Sequence, residues 1–324
     1  MHVVFNEINA AICNFLGING YIQGVVVMVC FNIIAVLGMS VLTGFTRLFS
    51  FGNAGFMAIG AYACAIFCKQ LGMNFIVAII LGSLFAGFVA YLLGSITLRL
   101  KGDYFLITCL GFGECVRVLF NYTKNLTGGS AGYVGIPAFS NMTFSIICVV
   151  LAFYIAWRFI HSKYGRNLTA IRENELAAEA VGVNAYKTKR MSFTFSAIYA
   201  GWAGALYAGH LMYIVPSAFG LAKSTELITT TVIGGLGSLT GSVMAAIIVT
   251  VLPEIFRGLS TYRMLIYAVA VVLIIMFKPS GLYGYKEFSL KRFIANIKKL
   301  FKGKKAAAAV AVEGPAENTV KEDE

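Results

Sequence analysis

Apolar residues along this chain come in long runs, not at the alternating or stripe spacing of a half-buried element. The runs fall at residues 22–42, 52–68, 75–98, 104–121, 142–160, 191–213, 225–236, 238–256 and 262–278. A helix that is apolar all round is wrapped either in protein or in lipid. About 20 apolar residues cover the hydrocarbon core of a bilayer, and most of these runs approach that length. The pattern predicts an all-α fold, a polytopic transmembrane helical bundle. The seventh run is short, and Gly234-Gly235-Leu236-Gly237-Ser238 interrupts it. It reads as a broken span or a re-entrant segment, because non-helical backbone at membrane depth persists only under protein cover or beside a water-lined cavity.

Composition agrees with lipid as the solvent. Hydrophobic residues make up 59% and charged residues 12% of the 324 residues, against roughly half and a quarter in soluble domains. The formal net charge of +12 does not signal nucleic acid, since the basic residues lie in short loops and the C-terminal tail and form no stripe on a polar domain. With an external N-terminus and nine crossings, the inside receives Arg47, Arg99, Lys101, the tail, and six basic residues of the 161–190 loop. The outside receives Lys69, Lys124, Lys223, Arg257 and Arg263. That asymmetry obeys the positive-inside rule and predicts a cytoplasmic C-terminus.

Residues 1–284 therefore read as one membrane domain, whose first span stays as an uncleaved anchor because no basic n-region precedes it. Residues 285–305 interleave lysines with Phe288, Leu290, Phe293, Ile294 and Ile297, a pattern suited to an amphipathic helix on an anionic leaflet. A solvated basic tail is the plainer alternative. Residues 306–324, ending Lys321-Glu322-Asp323-Glu324, have the composition of a disordered acidic tail.

Chemistry-bearing residues are sparse. Seven cysteines form no C-x-x-C pair, so no zinc or thioredoxin-like site is signalled; Cys64 and Cys68 read as packing residues. Three histidines without H-E-x-x-H give no metalloprotease signal. Gly128-Gly129-Ser130-Ala131-Gly132 fits G-x-S-x-G literally, but a nucleophile elbow needs a strand-to-helix turn with an acid and a His following. No G-x-x-x-x-G-K-[ST] occurs, so the chain holds no ATPase of its own, and neither an enzyme nor a cofactor is expected. Glu114 and Arg117 share a helix face in the fourth run. Charge at bilayer centre costs about 2.5–3.5 kcal/mol, so they form either an internal ion pair that fixes packing or a polar lining for a path. Asp103 beside Lys101 reads as an interfacial pair.

The longest internal polar loop is the most informative stretch. Residues 167–182 read as a short cytoplasmic helix, with Asn167 or Thr169 as cap, Glu173 and Glu175 near the positive dipole end, and Gly182 as the left-handed stop. Its alanines and charges suit docking on another protein, or an ordinary connection. Ala177-Ala178-Glu179-Ala180-Val181-Gly182 resembles the E-A-A-x-x-x-G element with which permeases of ATP-binding cassette (ABC) importers dock on their ATPase. Leu176 stands at the expected Glu position, with Glu175 one residue earlier. The longer run Arg172-Glu173-Asn174-Glu175-Leu176-Ala177-Ala178 with Gly182-Val183-Asn184 is similar to LivM-type branched-chain amino acid permeases. So are Leu48–Tyr62, Asp103–Glu114, Leu126–Gly129 and Val232–Ser238, in the right order over residues 20–282.

That resemblance implies a type II ABC importer permease fold and passage of a branched-chain or similar small amino acid into a bacterial cytoplasm through the inner membrane. It implies two ATPase subunits, a homologous second permease and an external solute-binding protein as partners, besides lipid. It points to Arg172, Glu173, Glu175, Ala177, Ala178 and Gly182 for ATPase coupling, and to Asn53, Glu114, Arg117, Gly234 and Gly235 for the path or its gate. The family often has His or Gln where this chain has Asn53. Related permeases for urea, short amides or nucleosides are the alternative within the class. An ion-coupled transporter is disfavoured by the scarcity of intramembrane carboxylates.

Overall fold

The computed structural model describes residues 19–100, 102–258, 263–278 and 281. The expectations for the first residues and for the segments 285–305 and 306–324 lie outside the described residues. Lys101, the expected partner of Asp103, does too.

The helices follow the apolar runs closely. They are α1 Gly20–Met39, α2 Asn53–Lys69, α3 Phe75–Thr97, α4 Asp103–Tyr122, the single turn α5 Lys124–Thr127, and α6 Met142–Ile160. Then come α7 Lys163–Glu173, α8 Glu175–Ala180, α9 Ala185–Leu211, α10 Leu221–Gly234, α11 Leu239–Ile255 and α12 Arg263–Phe277. The two described strands, β1 Tyr133–Val134 and β2 Tyr213–Ile214, form one short antiparallel pair. Four helical stretches are long and apolar enough to cross a membrane by length and composition: Gly20–Gly44, Phe75–Thr97, Met142–Ile160 and Leu239–Gly258.

Side-chain size is sorted as lipid requires. On α3 the large residues Ile80, Leu84, Phe85, Phe88 and Leu92 are exposed, whereas Ala78, Gly82, Ala86, Gly87, Ala90 and Gly94 are buried. A soluble helix would do the reverse. In a bilayer the tails solvate large apolar groups, and helices gain by bringing small residues together.

Helix α9 is the hub, packing against α1, α2 and α3. Its buried face is Ser196, Ala197, Ala200, Gly201, Gly204 and Ala208. A Cβ at Gly60 would overlap Gly201 Cα, and one at Gly204 would overlap the carbonyl oxygen of Met57. The backbones of α2 and α9 therefore touch, and only glycine permits it.

At its C-terminal end α1 passes into a π-helical turn, Ser40–Gly44. Thr43 Oγ1 donates to the Met39 carbonyl at 2.7 Å, and Ser40 Oγ accepts from Ser242 Oγ of α11 at 2.9 Å. A Cβ at Gly44 would lie 2.6 Å from Gly237 N, so this turn rests on the break between α10 and α11. Gly235 (φ 108°) and Gly237 (φ 96°) make that break in a region closed to other residues.

The seventh run becomes a short helix that stops at the glycine break. The chain leaves α9 beside the β pair, continues through the 3-10 turn Pro216–Phe219, and enters α10, which ends against Gly44 at the opposite end of α1. Helix α10 has 14 residues, about 21 Å, short of the roughly 30 Å hydrocarbon core. The segment that leads into α10 is covered by α2 and α4, which pack on the 3-10 turn.

Candidate functional site

The loop between α6 and α9 holds two helices where one was expected. Asn174 is extended (φ −155°), and its Oδ1 accepts from Ala177 N at 3.1 Å, capping α8. Ser162 caps α7 by accepting from Tyr164 N. Asn167 and Thr169 lie inside α7 and cap nothing; Thr169 Oγ1 donates back to the Gly165 carbonyl instead. Glu173 consequently ends α7 at the negative pole of its dipole, and Glu175 alone sits in a first turn. A competing Asn cap within the loop is the reason one helix becomes two. Gly182 has φ 87°, the left-handed stop expected of it.

The coupling candidates divide by direction. Ala178 is 3% exposed and packs with Ile171 and Ala185, so it holds α8 against its neighbours. Ala177, Glu179, Ala180 and Gly182 are exposed, and Leu176 and Val181 are 79% and 78% exposed. Leu176 and Val181 were not singled out from sequence, although apolar residues on an otherwise polar helix signal an unfilled contact. Glu175 pairs with Lys189 of α9 at 2.5 Å. Arg172 pairs with Glu173 at 3.1 Å and also donates to the Gly44 carbonyl at the end of the π turn. A Cβ at Gly237 would overlap Arg172 Nη1, so the guanidinium fills the space beside the α10–α11 break.

The expected path residues do not form one cluster. Glu114 and Arg117 pair at 2.6 Å on α4, both side chains about a third exposed, and face Gly220 before α10. Asn53 is buried where α2 meets α9; its Oδ1 accepts from Ser196 Oγ at 3.4 Å, and its Nδ2 has no partner among the described residues. Gly234 and Gly235 lie at the break between α10 and α11, with Gly234 against Ser242 and Gly235 against Gly281.

A third polar group went unnoticed in the sequence. Lys223, expected in an external loop, is in the first turn of α10. Its Nζ donates to Asn32 Oδ1 of α1 at 3.0 Å and pairs with Glu226 Oε2 at 3.1 Å. Asn32 Nδ2 donates in turn to Thr250 Oγ1 of α11 at 3.0 Å. Asn32 stands twelve residues along α1 from Gly20, about 18 Å, so these charges lie deep in the bundle. The i, i+3 spacing of Lys223 and Glu226 is the signal in the sequence that pairs them, although Lys223 falls just before the seventh apolar run and Glu226 just inside it.

A family described as the permease component of the branched-chain amino acid transport system matches residues 21–277. The chain is 32% identical to the high-affinity branched-chain amino acid transport permease LivM of Escherichia coli (strain K12), over 80% of this chain and 69% of that one. It is 28% identical to a probable LivM of Methanocaldococcus jannaschii, over 73% and 78%. To the probable LivH permease of the same archaeon it is 22% identical, over 86% and 97%. No solved structure matches. Length, order and motif content leave one assignment: this chain belongs to the family of branched-chain amino acid transport system permease components.

Proposed function

We propose that this permease is one of two membrane-spanning subunits of an ATP-driven importer and passes branched-chain amino acids from an external binding protein to the cytoplasm. Its relatives named LivM carry that substrate class in their names, and the LivH relative supports a homologous second permease beside it. Basic residues concentrated at the α7–α8 end argue for a cytoplasmic loop, an external N-terminus and a cytoplasmic tail.

ATP hydrolysis then belongs to two separate subunits that grip α7 and α8. Leu176, Ala177, Ala180 and Val181 supply the apolar contact, with Glu173, Glu175 and Glu179 at its rim. The observation that carries this reading is the placement of Arg172, which ties that exposed surface to the π turn of α1 and the glycine break of α10–α11. Movement of α7 and α8 is thereby delivered to three spans. Nucleotide drives the cycle by stabilising inward- and outward-open states unequally, since a ligand shifts only what it binds unequally.

The test is uptake of labelled leucine and valine by the reconstituted assembly, with ATP enclosed and binding protein outside. Uptake that follows an ion gradient in the absence of ATP would refute the reading.

A further inference from the structure

We infer that Lys223 and Asn32 form a transient carboxylate-binding site for the transported amino acid, midway through the bundle; the inference rests on the substrate class proposed above. Lys223 and Asn32 line a cavity of about 270 Å³ together with Phe31, Met57, Tyr207 and Phe219. Phe31 meets Tyr207 edge to face at 5.3 Å, and Tyr207 meets Phe219 at 5.4 Å, so the apolar wall is a fixed aromatic group. Drug-sized ligands occupy roughly 300–1,000 Å³; this volume suits a smaller solute.

The two halves of the cavity match the two halves of a branched-chain amino acid. An aliphatic side chain gains by leaving water for the Phe31–Tyr207–Phe219 wall. A carboxylate at this depth needs a cation, and the ammonium of Lys223 has three donors, of which Asn32 and Glu226 take one each. The third is directed by neither. Glu226, 3.1 Å from that ammonium, stands outside the cavity lining and holds the lysine in place, which leaves the cavity side of the ammonium to the substrate carboxylate. Lys223 also sits in the first turn of the short helix α10, where the helix dipole favours negative charge. Ionisable side chains inside a bundle pair with one another and mark solute pathways.

The site lies well away from the coupling loop. Helix α9 starts at that loop, and Tyr207 is 22 residues further on, about 33 Å. A solute arriving from outside meets the cavity before it meets the Gly234–Gly237 break, which closes the inner end.

The test uses the complete assembly in liposomes and three variants, with copurification of all subunits as the folding control. Lys223→Met should lower leucine uptake about ten- to a hundredfold, the loss of one charge-assisted hydrogen bond. Lys223→Met combined with Glu226→Met separates binding from packing, because exchanging a buried ion pair for two apolar residues often preserves stability. Continued loss of uptake in an assembled double variant supports the site; recovery to wild-type uptake overturns it. Ala218 also lines the cavity; Ala218→Met narrows it without touching the charges, and should depress leucine uptake more than alanine uptake. An unchanged leucine-to-alanine ratio overturns the proposal even where the charge variants fail to assemble. A wild-type assembly that carries neither leucine nor valine refutes the substrate reading and this site together, whereas normal wild-type uptake with indifferent variants refutes the site alone.

Discussion

Arg172 Nη1 donates to the carbonyl oxygen of Gly44 across 3.1 Å, joining the loop between α6 and α9 to a point 128 residues earlier in the chain. The guanidinium is 12% exposed and lies over Phe45, its centre 6.0 Å from the ring. Gly44 ends a π turn, where the regular i to i−4 ladder is interrupted and carbonyls are left for other donors. An arginine is suited to such a place, because its planar fork can hold Glu173 and a carbonyl at once.

Arg172→Met removes both bonds and should uncouple the assembly. A carbonyl that loses a charged donor costs about 1–3 kcal/mol, too little to unfold a bundle of this size. ATP hydrolysis by the assembly should persist while leucine uptake falls about ten- to a hundredfold, the kinetic equivalent of that loss. Gly237→Ala should behave alike, since its Cβ would displace the same guanidinium. Measuring uptake per ATP hydrolysed decides it; equal loss of both activities would point to simple misfolding.

Docking on α8 makes a prediction that separates Leu176 from Ala178. Leu176→Asp places a charge on the exposed face and should abolish copurification of the ATPase while membrane insertion stays normal. Ala178→Leu instead overpacks the contact with Ile171 and Ala185, at about 1–3 kcal/mol. It should lower the melting temperature of the isolated permease in detergent, which Leu176→Asp should leave unchanged.

Much of this was legible in the run pattern. Each of the nine apolar runs became a helix, and Gly234–Ser238 announced the break because few other sequences tolerate two positive φ angles two residues apart. Capping was less legible. Ser162, Asn167, Thr169 and Asn174 can all cap a helix, and spacing does not rank them; Ser162 and Asn174 prevail because Gly165 and Leu168 must pack inward between them. The facing of Ala177 and Ala178 was also hidden, since a two-turn alanine stretch has no apolar stripe to orient it. Lys223 was misplaced because its partner Asn32 is 191 residues away, and no local rule pairs a lysine with a distant amide.

Glu114 and Arg117 offer a double-mutant test. Each carries charge on a span, and each satisfies the other at 2.6 Å. Arg117→Met alone leaves Glu114 unpaired and should destabilise more than the Glu114→Gln, Arg117→Met double variant. Contacting residues show interaction energies of about 0.5–3 kcal/mol. Melting of the four proteins in detergent reads the coupling directly, and a double variant no more stable than Arg117→Met would remove the pair from the account of packing.

Glycine substitution tests the idea that backbone contact between α2 and α9 holds the bundle together. Gly204→Ala drives a methyl group into the carbonyl of Met57, and Gly60→Ala drives one into Gly201. Neither obstacle is the end of a flexible side chain, so the helices must part, at about 1–3 kcal/mol for each substitution. Gly111 on α4 is the control: a Cβ there meets nothing within 4 Å, and alanine improves helix propensity by up to about 1 kcal/mol. Gly111→Ala should therefore melt at or above the wild-type temperature while the other two melt below it. If all three behave alike, proximity of the two backbones is not what selects glycine at positions 60 and 204, and the hub role of α9 must rest on its alanines instead.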